Sequence, residues 1–167
     1  MPPTPYTPSR DDRLRAVVHI IHEYANLISA AHHSLNGQPP WRSHCDDAFL
    51  LGCRKVDDFL MRRKRSVPCD EKEELDDILA LDYLPNDFTI TWKLPIWKKH
   101  WRWPMNKQLA HLAYSRDKSW DHTVWVPKLR SEFQLAWSEF LGAIVDQEYR
   151  DMFVKHLQLK RELINLP

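Results

Sequence analysis

The sequence predicts an all-α bundle of four or five helices, and three observations carry that expectation. Apolar residues recur at three- and four-residue steps over several long windows, the spacing that lines one face of a helix. Only three glycines occur in 167 residues, too few for the turns of an all-β fold or for a glycine-rich phosphate loop. No internal repeat breaks the pattern. The length suits one domain with its own core, so residues 1–10 are expected as a flexible Pro-rich tail and 11–167 as a single helical domain.

The first element is anticipated from about residue 12 to 35. Asp11 or Asp12 can cap it, Leu14, Val17, Val18, Ile21, Ala25, Ile28, Ala31 and Leu35 supply the apolar stripe, and Asn36-Gly37 followed by two prolines stops it. A second helix is expected over about 44–64. Ser43 is its cap, Asp46 and Asp47 sit in the first turn, Ala48, Phe49, Cys53, Val56, Phe59 and Leu60 form its face, and the RRKR run at 62–65 ends it where cations are favoured.

From Ser66 to Lys99 the periodicity weakens and Pro68, Pro85 and Pro95 limit any element to a short helix or a strand-like loop, an irregular insertion rich in Trp and Pro. Five of the eight tryptophans fall between Trp92 and Trp120. Pro104 opens a third main helix reaching about Tyr114. A fourth runs from Lys128 to about Val145, with Leu129, Phe133, Ala136, Trp137, Phe140 and Leu141 on one face, and a fifth from Glu148 to Leu163.

Charge and cysteine usage bound the function. Lys plus Arg number 24 against 23 Asp plus Glu, so any attraction for nucleic acid must come from a local patch rather than a net field. Cys45, Cys53 and Cys69 form an odd set without C-x-x-C spacing, which fits a reducing cytoplasm better than a disulfide framework or a zinc ribbon. The segment MPPTPYTPSRDD has no apolar run of the signal-peptide kind, and no window has the 18 or more apolar residues that a membrane-spanning helix needs. A cytoplasmic protein without a membrane partner is the expectation.

The stretch MNKQLAHLAYSR, residues 105–116, concentrates chemistry on about three helical turns. With about 100° per residue and Met105 at zero, Leu109, Leu112, Ala113 and Arg116 fall within about 80° of Met105, on one stripe. Lys107 and Tyr114 fall near 200° and 180° and His111 near 240°, on the polar side. Lys107 and His111 are i, i+4 neighbours, and an adjacent ammonium favours the neutral imidazole, a competent general base. The same placement suits a solvated or dimer-facing histidine. Asn106, near 100°, cannot share that face.

NKQLAHLAYSR, followed by a loop and LRSEFQLAWSEFL, resembles the helical HEPN superfamily, as does the upstream CRKVDDFLMRRK. The likeness spans roughly residues 42–145. It implies a bundle of four or five helices, and a metal-independent ribonuclease or RNA-binding protein of prokaryotic defence or toxin–antitoxin type, working as a homodimer with RNA and with an antitoxin protein as partners. The superfamily's signature is Arg, four to six residues, then His. His111 matches the histidine. Asn106 stands at the four-residue spacing and Met105 at the five-residue one, so the arginine is replaced. Asn can hydrogen-bond a phosphate without giving it a charged, bidentate clamp. Lys107 and Arg116 are the nearest cations that could serve instead.

Other clusters have simpler readings beside functional ones. WKKHWRW at 97–103 interleaves Lys98, Lys99 and Arg102 with three tryptophans, a composition for stacking bases beside cations and equally for anchoring a loop to a bundle. The expected site is therefore His111 and Asn106 as catalytic residues, with Lys107, Tyr114, Arg116, Lys98, Lys99 and Arg102 contacting substrate. His19, His22 and Glu23, with His32 and His33 farther on, do not follow the zincin order. No metal or cofactor is expected. A non-catalytic helical module that binds a partner protein is the competing function.

Overall fold

The computed structural model describes residues 7–38, 41–61, 78–92 and 122–163. They form four α-helices, α1 (Arg10–Asn36), α2 (Trp41–Met61), α3 (His122–Ala143) and α4 (Gln147–Leu163), with a 3-10 turn at Ala80–Tyr83. No strand occurs among the described residues. The all-α bundle expected from the sequence is therefore what the chain builds.

α1 starts two residues earlier than anticipated because Ser9, not Asp11 or Asp12, is its cap. The Ser9 hydroxyl accepts from the Asp12 backbone N–H at 3.1 Å and the Asp12 carboxylate accepts from the Ser9 N–H at 3.0 Å, a reciprocal capping box. Val17, Ile21, Tyr24, Ala25, Leu27, Ile28, Ala31 and Ser34 are buried along it. That stripe covers roughly half the circumference. It is wide because α1 packs against α2, α3 and α4 at once, so Tyr24 and Leu27 enter the core while Val18, just past the edge, stays 41 % exposed.

The cross-helix contacts give each neighbour's direction. Ser34 donates to Asp46, the Leu27 backbone abuts Gly52, and Lys55 reaches Glu23 at 2.8 Å, so α1 and α2 run antiparallel. Arg10 meets Asp146 and Glu148 while His22 meets Lys160, so α1 and α4 run parallel. The corner between α1 and α2 is tied by Arg42, whose Nε and Nη2 donate to the Gly37 carbonyl at 3.1 and 2.9 Å.

α3 turns into α4 through residues 144–146, with Ile144 buried in the corner, and therefore runs parallel to α2. α2 ends and α3 begins at opposite ends of the bundle. The 3-10 turn and Trp92 lie at the first of these. Tyr83 contacts Phe59, Phe140, Tyr149 and Phe153 with ring centroids 5.1–6.3 Å apart, and Trp92 donates its indole N–H to the Leu60 carbonyl at 3.3 Å. Edge-to-face pairs dominate this aromatic core, the arrangement that ring quadrupoles favour.

Two helix starts and one buried face differ from the periodicity. α2 begins at Trp41 rather than 44, so Ser43 lies inside the helix instead of capping it. Ala48, expected on its buried face, is exposed, and Leu50 is buried instead. α3 begins at His122 and carries Pro127 within it. A proline within the first two turns removes only one early hydrogen bond, so the helix extends back past the residue at which the proline signal seemed to start it.

Candidate functional site

The eight residues expected to form a site, His111, Asn106, Lys107, Tyr114, Arg116, Lys98, Lys99 and Arg102, lie outside the described residues, as do the third main helix anticipated at 104–114 and the RRKR run. The flanking sequences of that motif do fall on described helices. Residues 53–61 of CRKVDDFLMRRK lie on α2, and LRSEFQLAWSEFL, residues 129–141, lies on α3. Residues 93–121 join Trp92, at one end of the bundle, to His122 at the other.

The histidines of α1 are drawn apart by their partners. His22 shares a hydrogen bond with Asn26 at 2.9 Å and faces the Lys160 ammonium at 3.3 Å from α4. His32 is engaged by Asn36 and sits edge-on to His33. His19 turns toward α2. Among the described residues no three His, Cys, Asp or Glu side chains stand close enough together to hold a metal ion.

A cavity of about 180 Å³ opens between α1 and α2. His19, Ile20 and Glu23 line it from α1, and Lys55, Val56 and Phe59 from α2. Its floor is Trp137 of α3, and Ile78, ahead of the 3-10 turn, closes one end. Each contribution follows from the local fold. The i, i+3 and i, i+4 rows of two antiparallel helices face each other, which brings Glu23 against Lys55, and the Tyr24–Trp137 stack, 4.1 Å between centroids and 7° from parallel, holds the indole beneath the groove.

The electrostatics of this cavity are largely self-contained. Glu23 and Lys55 form an ion pair at its rim, both ends partly exposed. Trp137 is 2 % exposed and its indole N–H has no hydrogen-bond partner among the described residues. A dehydrated donor without an acceptor is an unusual feature of a packed interior.

Other titratable groups serve the fold. Burial pushes the Cys53 thiol well up, and Asp57 nearby adds to the effect. Burial likewise raises the Tyr24 hydroxyl to about 12. Loss of solvation raises the Glu132 carboxyl on α3, with Lys128 opposing. In the sequence Trp137 reads as a core aromatic and Glu23 as a neighbour of His19 and His22 without zincin order. Only their convergence with Lys55 marks them.

Comparison with protein-family models, with curated proteins and with solved structures finds no match. No helix among the described residues is long and apolar enough to cross a membrane.

Proposed function

We propose that the chain is a HEPN-like helical protein that binds RNA and cleaves it without a metal, working as a cytoplasmic homodimer in a prokaryotic defence or toxin–antitoxin setting. The observation that carries this reading is the order Asn106…His111 in a stretch whose two flanks, on α2 and α3, are helices of one bundle. The all-α architecture agrees with it.

The chemistry needs few protein groups. The RNA 2′-hydroxyl attacks the adjacent phosphorus, its proton passes to a neutral imidazole, and the 5′-oxygen leaves with a proton, giving a cyclic phosphate and a free 5′-hydroxyl. His111 is the proton-transfer group. Asn106, Lys107 and Arg116 contact the phosphate, where a cation stabilises the developing charge, and Tyr114, Lys98, Lys99 and Arg102 hold the strand.

The test is incubation of structured and single-stranded RNA in EDTA with wild type, His111→Ala and Asn106→Arg. Cleavage by the wild type, a loss of about 10²-fold or more in His111→Ala, and a gain in Asn106→Arg are the expected results. No cleavage by wild type or Asn106→Arg, or equal cleavage by wild type and His111→Ala, removes the nuclease reading.

One observation favours a non-catalytic partner-binding module as the second reading. Trp41 at the start of α2, Val124 near the start of α3 and Leu163 at the end of α4 are 71, 54 and 75 % exposed, and the helix directions put all three at the same end of the bundle. An inert protein that pulls down its antitoxin through that end, and loses it on Trp41→Ala, is the corresponding outcome.

A further inference from the structure

Three cations converge on the turn of α1 that carries Tyr24. Trp137 of α3 stacks on Tyr24, and the Lys160 ammonium of α4 lies 3.3 Å from His22, two residues earlier, so α3 and α4 both reach this turn. Arg130 stands seven residues before Trp137 on the same face of α3. Arg161 follows Lys160 in the last turn of α4. Both guanidinium groups lie near enough to the Tyr24 hydroxyl to oppose, through their charge, the effect of its burial.

The surroundings leave this charge uncompensated. Glu23 is held by Lys55 at 2.8 Å and Glu162 by Gln158 at 3.1 Å. Glu132, about 200° around α3 from Arg130, neighbours Lys128. Among the described residues Arg130, Lys160 and Arg161 have no carboxylate partner, whereas Arg10 and Lys55 do. Lys160 and Arg161 suit the C-terminal turn of a helix, but Arg130 lies inside α3, where no helix end favours a cation. Arg130 and Lys160 are half-buried, so their apolar stems are held against the bundle. Grouped like charges repel, and an anion seated among them relieves the repulsion. With 24 basic against 23 acidic residues in the whole chain, attraction for an anionic polymer requires a local patch of this kind.

We propose that the surface where α3 and α4 meet α1 at Tyr24 binds the phosphate backbone of a single RNA strand, with Arg130, Lys160 and Arg161 each contacting phosphate. A guanidinium offers a phosphate two parallel donors as well as a charge. The inference rests on the RNA reading for its ligand but not on His111, since it concerns holding the strand rather than cutting it.

The experiment uses the full chain carrying His111→Ala as the parent, so that bound RNA stays intact, and follows the fluorescence anisotropy of a labelled single-stranded oligouridylate in EDTA as salt is raised. Adding Arg130→Gln and Arg161→Gln together is expected to weaken binding about tenfold or more at low salt. It should also lower the slope of log affinity against log salt by roughly 1.4, since each phosphate contact on a single strand contributes about 0.7. Arg130→Lys with Arg161→Lys keeps the charge and is expected to keep the slope. Arg54→Gln with Lys155→Gln removes the same charge from exposed positions elsewhere on α2 and α4, and is expected to change affinity by about twofold or less. Equal losses in the two glutamine pairs, or an unchanged slope in the first, overturn the patch and leave the RNA reading standing. A parent that binds no oligouridylate removes both, including where it binds inorganic pyrophosphate and the patch is a small-anion site. Binding that depends on the patch, beside a wild type that cuts no RNA, supports the patch and removes only the nuclease chemistry.

Discussion

Two glycines behave oppositely at the scale of single residues. Gly52 on α2 faces the α1 backbone, and a Cβ built there would lie 3.2 Å from both the Cα and the Cβ of Leu27. The helices approach closely because nothing stands between them. Gly142, in the last turn of α3, has no atom within 4 Å of its would-be Cβ. Gly52→Val is therefore expected to destabilise the protein by about 1–3 kcal/mol through overpacking. Gly142→Ala is expected to stabilise it by roughly 0.5 kcal/mol, since the glycine carries a helix-propensity cost and meets no steric need. Urea denaturation separates the two, and an unchanged midpoint in Gly52→Val would mean that α1 and α2 are farther apart than this. Neither role was legible in the sequence. Helical periodicity does not distinguish the two positions, and only the facing Leu27 gives one of them a purpose.

At the scale of elements, the sequence was most informative where one face alone is buried. Leu129, Phe133, Ala136, Trp137, Phe140 and Leu141 are legible on α3 as a stripe, and all are buried but Leu141, which is half-buried. α1 was harder because its three partners widen the buried stripe beyond a two-residue ridge, admitting Tyr24 and Leu27. The start of α3 was missed for another reason. Pro127 precedes the start expected at Lys128, yet the helix forms around it from His122. Its ring carries no N–H for the i, i−4 hydrogen bond that another residue would supply at this position. Pro127→Ala restores that donor at an exposed position, partly offset by the greater freedom of the unfolded chain. A stabilisation of about 1–2 kcal/mol is expected, with slower amide exchange confined to residues 123–127. Faster exchange there would show that the proline helps to start the helix.

The whole molecule depends on contacts that no local pattern encodes. The cavity draws Glu23, Lys55, Ile78 and Trp137 from four separate stretches, so its existence follows from register between helices rather than from any motif. The same holds for the clasp between the start of α1 and the start of α4. Arg10 donates to Asp146 at 2.8 Å and to Glu148 at 2.5 Å, and the Arg10 guanidinium lies 5.0 Å from the Tyr149 ring centroid. Asp146 also caps α4 by accepting from the Glu148 and Tyr149 N–H groups at 3.0 and 3.4 Å. The hydrogen bond from Arg10 holds the Asp146 carboxyl below its ordinary value of 3.8, aided by those backbone donors and opposed by partial desolvation.

A carboxyl whose folded value is depressed binds its proton more readily when the chain unfolds. Its stabilising effect is therefore full above the ordinary carboxylate range and is lost as pH falls through the depressed value. Asp146→Asn keeps an oxygen for the cap but removes the charge that faces Arg10. Wild type is expected to be the more stable of the two in urea at pH 7, with the difference shrinking below about pH 4 and vanishing once Asp146 is protonated in the folded protein. The pair is open to solvent, so 1 M salt should also reduce the difference at pH 7. A gap between the two proteins that ignores both pH and salt would assign Asp146 to capping alone, and would leave the parallel register of α1 and α4 to the burial of Tyr149 and Phe153 against the Tyr83 ring.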